Sequence, residues 1–532
     1  MGAERDRDIC EGHHKVKLDR TDGGLMMGGD DQGTNGGLDR WLLPLWDAIH
    51  RVVVWGLDFL FEDSEGGWVR WAQRAWALML LLGGGLLWAY ILNWGRINFL
   101  YSDWAEGMGH RLAFLQDAVR TGQLPLNMPD PSALRNITDR YLSIPDTIIS
   151  PQVLLLRFMD PGPFVVVNTL LLYALGAWGL WRLGRRFRWS PITFSFIFLI
   201  FNFNGHITDH IVVGHIHWAG YFLLPWFVHL ILDALERRPG WGWMFKIDLL
   251  LLLLFLQGAF HLFVMALIFM GLLALAQREL FAPLVKAGVF AGLVSAIRIL
   301  PPALEMGKFD SAFLSGFDSA FQLLSSTVDL KLAVHSEIFR NTPLNPLGYW
   351  EIDHYIGLMG LLFVAFLGIG IWVRDQAPDA SYRALILPVV GMTVLSIGRI
   401  FEPINRLGIP LLSSQRVSTR FFVFALIMLT VLAGVHLQRL IERGKIPNPG
   451  RLALAGGFLV LVNDLWQHEK LWRVAHLPEM FNARDVDLSL SHVANHPDPA
   501  YTAALIVGAV VSALALVFLG WMAYRERGEA GL

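Results

Sequence analysis

Past Trp41 the chain alternates between long apolar runs and short polar connections. Leu42, Leu45, Trp46, Ile49, Val52, Val53 and Leu60 recur at three- and four-residue steps, while Asp47, Arg51 and Asp58 fall on another side. This spacing predicts an amphipathic helix within residues 41–74, lying in the interface beside a first membrane span. Further apolar runs begin near residues 75, 163, 190, 213, 244, 260, 284, 354, 383, 420, 451 and 501. They predict an all-α, polytopic transmembrane helix bundle over residues 75–523. About twelve spans are expected, with eleven to thirteen allowed because several runs are short or merge. Residues 1–40, with mixed charge, paired glycines and almost no apolar periodicity, read as a disordered cytoplasmic tail, and residues 524–532 as a second short one.

Composition sharpens this picture. The 532 residues are 54% apolar and only 17% charged, against about 25% charged in soluble domains, and the mean hydropathy is +0.46. A soluble core cannot absorb so much apolar side chain, and disorder needs the opposite balance. A net charge of −2 gives no field favouring nucleic acid. The single cysteine, Cys10, permits neither an internal disulfide nor a thiolate metal cluster.

Basic residues set the orientation. Arg182, Arg185, Arg186 and Arg188, then Arg237, Arg238 and Lys246, and later Arg439, Arg443, Lys445 and Arg451 crowd short connections. Short basic loops stay inside. Both termini are therefore expected in the cytoplasm of a cell (inner or plasma) membrane protein. The long segments 96–162, 299–353, 398–419 and 465–500 are then outside. Nearly every distinctive polar residue falls in them or at the outer ends of spans. Mid-span ionisable residues, which a proton-coupled carrier needs, are scarce.

Three outer constellations carry chemistry. On a helix, Asp103, Glu106, His110 and Asp117 fall within a stripe of about 60°, opposite Met108, Leu112, Leu115 and Val119. Such helices in the first outer loop would lie on the membrane surface. A carboxylate in a water-poor cleft has its pKa raised toward the working range and suits general-base catalysis, whereas the plainer reading is a solvated polar face. The second constellation is Asn204-Gly205-His206-Ile207-Thr208-Asp209-His210 with Gly214-His215-Ile216-His217-Trp218. His206, Asp209 and His210 have i, i+3, i+4 spacing and could ligate a divalent metal. The alternatives are a polar pocket lining and simple interfacial histidines. The third comprises Arg298 to Glu305 with its double proline, then Glu351, Asp353 and His354, then Arg416 and Arg420. Arginine forks suit phosphate, though they also snorkel to lipid headgroups.

In order along residues 75–440, the Asp segment after the first span, the Gly-His turn before Trp218 and Pro225, Leu300-Pro301-Pro302-Ala303-Leu304-Glu305, Tyr355-Ile356-Gly357-Leu358 and Arg416-Val417-Ser418-Thr419-Arg420-Phe421 resemble the YfhO-like membrane proteins. These are a branch of the GT-C superfamily of integral membrane glycosyltransferases. The resemblance implies a GT-C-like fold and transfer of a sugar from a polyprenyl-phosphate donor to an extracytoplasmic acceptor of unspecified kind, a glycolipid, polymer or protein. It implies an acidic base in the first outer loop, a place only Asp103 and Glu106 fit, and Arg416 or Arg420 near the donor phosphate. His110, His206, His215, His217, Glu305, Glu351 and His354 complete the candidate substrate-binding set, with membrane lipid as the other partner. The histidine-dense turn is richer than the family pattern and leaves metal assistance open. Two other classes compete: a transporter or flippase of a lipid-linked or anionic substrate, and a non-catalytic membrane subunit.

Overall fold

The computed structural model describes residues 39–62, 67–309, 312–330, 348–373, 380–409 and 412–530. Nearly all of the expected N-terminal tail, and part of the second outer segment, lie outside the described residues. The chain divides into two units, Met1–Trp55 and Gly56–Leu532. In the first, helix α1 (Asp39–Phe61) begins and leaves Leu45, Trp46, Ile49, Val52 and Val53 exposed, an apolar stripe of the kind that lies in an interface.

The second unit is helical. Among the described residues there is no strand, only isolated bridges such as Ser315 with Val417 and Phe317 with Ile397. A helix lies at each of the twelve apolar runs: α2 (Gly67–Ile91), α4 (Pro161–Arg186), α5 (Pro191–Asn202) with α6 (Gly205–Val213), α7 (Leu224–Glu236), α8 (Trp241–Leu256), α9 (Phe260–Ala276), α10 (Phe281–Val294), α12 (Gly357–Val373), α13 (Ile386–Leu395), α14 (Phe422–Glu442), α15 (Asn448–Leu471) and α16 (Pro499–Ala530). Between them lie α3 (Gly109–Thr121) and α11 (Ala296–Ala303).

Six helical segments among the described residues are long and apolar enough to cross a bilayer, or seven if the pair α10–α11, bent by 68°, counts as one. This is fewer than twelve for identifiable reasons. At 1.5 Å per residue, α8, α9 and α13 fall short of a hydrocarbon core about 30 Å thick. Helix α15 is long enough but carries Arg451, Asp464, Glu469 and Lys470.

Burial follows apolar distribution. Helix α14 is apolar all round through most of its length and is buried along it, so it forms the centre of the bundle. Helices α2 and α16 sit at the periphery and expose Leu78, Leu82, Leu86, Val510, Leu514, Val517 and Trp521, a surface suited to lipid rather than water. At one end of the bundle Arg186 of α4 pairs with Asp233 and Glu236 of α7 at 2.6 and 2.7 Å. The connections that follow α2, α6 and α8, and those that precede α12 and α14, meet at the other end.

Candidate active site

The break between α5 and α6 builds the site. Asn204 accepts the Ile207 N–H, and its amide donates to the carbonyls of Ile200 and Phe201 and to the Tyr221 hydroxyl. One buried side chain thus ends one helix and starts the next. Gly205 donates its N–H to the Tyr355 carbonyl at 2.9 Å, and a Cβ there would lie 2.7 Å from the Tyr355 nitrogen. Only glycine lets α6 start against the 353–355 segment. Helix α6 stops at Gly214, whose φ of +119° favours glycine, and a Cβ there would meet the Trp104 nitrogen at 2.7 Å. Trp104 itself is buried in a single π-helical turn, Trp104–Met108, and donates its indole N–H to the Val212 carbonyl at 2.8 Å. The segment 96–162 is thereby locked to the end of α6, which brings Asp103 to His215.

These elements enclose a cavity of about 280 Å³, lined by Asp103, Glu106, Arg111, Arg135, Asp146, His215, His217, His261 and Arg420, among others. Asp103 is bonded to His215 Nε2, and Glu106 is paired with Arg484. Burial by itself raises the Asp103 carboxyl, but the charge and hydrogen bond of His215, with Arg484 and Arg420, outweigh it and hold Asp103 below its ordinary value. Glu106 moves the other way, raised by burial and by the Asp103 charge against the pull of Arg484. The cleft therefore raises only one of the two acids, and Asp103 is the one kept ionised.

A relay runs inward from Asp103. His215 Nδ1 lies 2.7 Å from His210 Nδ1, and His210 Nε2 lies 3.7 Å from Glu351. Glu351 is held by the Arg420 fork, Nε donating to Oε2 at 2.8 Å and Nη2 to Oε1. As the positive partner of Asp103, His215 donates from Nε2 to Asp103 and from Nδ1 to His210 Nδ1, so His210 carries its proton on Nε2, toward Glu351. Trp218 backs the relay, stacked on His210 at 4.7 Å and on His261 at 6.1 Å, with the Arg420 guanidinium over its ring at 5.4 Å.

A test of this arrangement follows from sign. Asp103 works as a base only while ionised, so activity is lost as pH falls through its lowered pKa. His215→Ala removes the main lowering charge while burial remains. The acid limb of the turnover–pH profile should therefore move to higher pH. A limb that stays in place would separate it from Asp103.

The second side of the cavity rests on Asp146. Its carboxylate takes Arg111 at 3.2 Å and Arg135, and Arg111 also donates to the Ala133 carbonyl. Burial raises Asp146, but Arg111 and Arg135, with His217 and His261, hold it well below the usual range. The loop carrying Asp146 is gripped by Arg298, buried, whose Nη2 donates to the carbonyls of Ile144, Pro145 and Thr147 at 2.9–3.3 Å. Asp146→Ala should destabilise the fold by about 3–5 kcal/mol, because it leaves the buried Arg111 without its carboxylate. Thermal unfolding in detergent measures this, and an unchanged midpoint would contradict it.

The structure brings Asp103, Glu106, His215, His217 and Arg420 to one cavity. Glu351 stands behind Arg420. Other expected residues lie elsewhere. The π turn at 104–108 separates the ends of the predicted polar stripe: His110 is buried against Ser491 at 2.7 Å, and Asp117 accepts the Val493 N–H. Glu305 is buried in pairs with Arg140 and Lys308 at 2.8 and 2.6 Å, fastening the segment 96–162 to the start of α16 through Arg140 and Asp498. Arg416 donates to the Ala312 carbonyl and does not line the cavity. His354 and His206 stack on each other at 4.9 Å, both fully buried behind it.

His206, Asp209 and His210 share α6 but do not converge as a metal triad. On a helix, residues 206 and 210 lie nearly above one another while 209 is rotated by about 100° from 210. The donor atoms assemble instead as His210–His215–Glu351, within the relay, and as Asp209–Asp353–His468.

Comparison with known proteins finds no family model, no curated protein and no solved structure that matches this chain. The site thus stands on its own geometry. Sequence reasoning missed Arg111, Arg135, Asp146, His261 and Arg484. Each is an ordinary polar residue in a long connecting segment or at a helix start, and only the tertiary fold gathers them.

Proposed function

We propose that this protein is an integral membrane glycosyltransferase that moves a sugar from a polyprenyl-phosphate donor to an extracytoplasmic acceptor. The observation that carries this reading is a carboxylate kept ionised, Asp103, facing a cavity that also presents Arg420, Arg111 and Arg135 at one end of an apolar bundle. The isoprenoid tail of such a donor stays among lipids while its phosphate reaches the end of the bundle. Asp103 takes the acceptor hydroxyl proton as the acceptor oxygen bonds to the anomeric carbon. The bond from that carbon to the phosphate oxygen breaks, and the leaving charge is neutralised by arginine. Attack opposite the leaving phosphate inverts the anomeric centre. A divalent cation is not needed by this scheme, and His210–His215–Glu351 is the group that could hold one beside it.

Purified protein given a panel of polyprenyl-phosphate sugars should release polyprenyl phosphate from one class of donor, in proportion to sugar transferred. A donor panel left intact in the presence of acceptor-containing membranes would contradict the proposal. Orientation is tested separately. After Cys10→Ser, an impermeant thiol reagent on intact cells should label Ser132→Cys, at the cavity, and not Arg238→Cys, both positions being exposed. The reverse pattern would put the cavity on the cytoplasmic side, away from the proposed acceptor.

A further inference from the structure

Behind the cavity, three carboxylates are buried together with a single histidine. Asp209 of α6, Asp353 and Glu469 of α15 are each at most 1% exposed, as is His468. His468 Nε2 lies 3.1 Å from Asp353 Oδ2 and 3.7 Å from Asp209 Oδ1, and its Nδ1 faces Glu469 Oε1 at 3.7 Å. Other donors are few: the Tyr355 N–H serves Asp353 at 2.8 Å, and Thr208 serves Glu469 at 2.9 Å. Neither Asp209 oxygen meets a hydrogen-bond donor, and the other Glu469 oxygen meets none either. Asp209 and Asp353 face one another and can bond only by sharing a proton. Among the described residues, no lysine or arginine pairs with any of the three.

With all three carboxylates ionised, even a protonated His468 leaves two negative charges in a water-poor bundle, so the cluster must take up either protons or a cation. One donor atom each from Asp209, Asp353 and His468 lies within 4.8 Å of the others, a separation that one ion can bridge. The histidine is arranged as metal-bound histidines are. One ring nitrogen points at the cluster, the other at a carboxylate, Glu469, which Thr208 in turn holds. Tyr355 stacks on the ring at 4.9 Å and fixes its plane.

We infer that Asp209, Asp353 and His468 bind one divalent cation that ties α6, the segment before α12 and α15 together behind the cavity. Two carboxylates and one imidazole form a mixed oxygen–nitrogen set, which suits Mn²⁺ or Zn²⁺ over Mg²⁺ or Ca²⁺. The ion is structural: it sets where Gly205 and Tyr355 meet and hence where the His210–Glu351 relay sits. The inference does not rest on the transferase reading, since it concerns binding and not turnover.

The test uses the full chain in detergent, stripped with chelator and titrated with Mn²⁺. The free-ion electron paramagnetic resonance signal should disappear until one Mn²⁺ is bound per chain, and the bound ion should show coupling to the nitrogen of one imidazole. Asp209→Asn and Asp353→Asn should each weaken binding at least tenfold, and His468→Gln should remove the nitrogen coupling. Glu351→Gln should change neither. Should any variant misfold, the spectrum of the unaltered protein still decides. Two coupled imidazoles would place the ion at His210 and His215 and overturn the assignment. Binding of less than about a tenth of an equivalent of both Mn²⁺ and Zn²⁺ would overturn it too, leaving shared protons as what neutralises the cluster.

Discussion

Asp103→Asn is expected to lower turnover by ~10²–10⁴, the contribution typical of a positioned general base. Asparagine keeps the shape and an oxygen that can still accept from His215, so the helix start and the Trp104 anchor stay in place. What is lost is the ability to take a proton. Donor affinity and the unfolding midpoint should therefore change little. Glu106→Gln should cost far less, since Glu106 is half-exposed, paired with Arg484 and raised in pKa, which fits it poorly for holding a proton acceptor ready. Near-native turnover in Asp103→Asn with loss in Glu106→Gln would reverse the assignment. Full activity in both would remove this segment from catalysis.

Arg420→Ala should have a double effect. Glu351, almost wholly buried, loses both bonds from the Arg420 fork, and stranding a buried charge costs about 3–5 kcal/mol of stability. The remaining guanidinium nitrogen, Nη1, is the one free to meet a phosphate, so donor affinity should also fall by about 1.5–3 kcal/mol, the worth of a charge-assisted hydrogen bond. The two losses separate in a second variant. Glu351→Gln with Arg420→Ala removes both charges, so stability should largely return while donor affinity stays low. Arg420→Lys should recover only part of either, because an ammonium cannot reproduce the fork. Normal donor affinity in the stabilised double variant would confine Arg420 to holding Glu351.

The sequence carried the helices well, because apolar runs and polar breaks are local signals. Every predicted run coincides with a helix. What periodicity could not give was depth: α9 and α13 are apolar but short, and α15 pairs an apolar start with a charged end. Within the site, Asp103 and His215 were legible as chemistry but not as partners, since 112 positions separate them. Their contact depends on Trp104 docking to Val212 and on Gly214 clearing the way, neither of which spacing reveals. The polar stripe through Asp117 assumed a regular helix, and the π turn at 104–108 broke its phase. Likewise Glu305 and His110 carry the right atoms for binding, yet partners far along the chain, Arg140 and Ser491, already occupy them. The Asp209–Asp353–His468 cluster draws on three separate segments and has no local signature.

The most direct measurement is a donor-bound structure of the Asp103→Asn variant in a lipid nanodisc, with a polyprenyl-phosphate sugar chosen from the active panel. The phosphate should lie in the cavity against Arg420 and the Arg111–Arg135 side, with the anomeric carbon turned toward position 103 and the isoprenoid tail leaving between helices into lipid. Donor bound at mid-depth between the helices, with the cavity holding none of it, would contradict the account and favour a carrier.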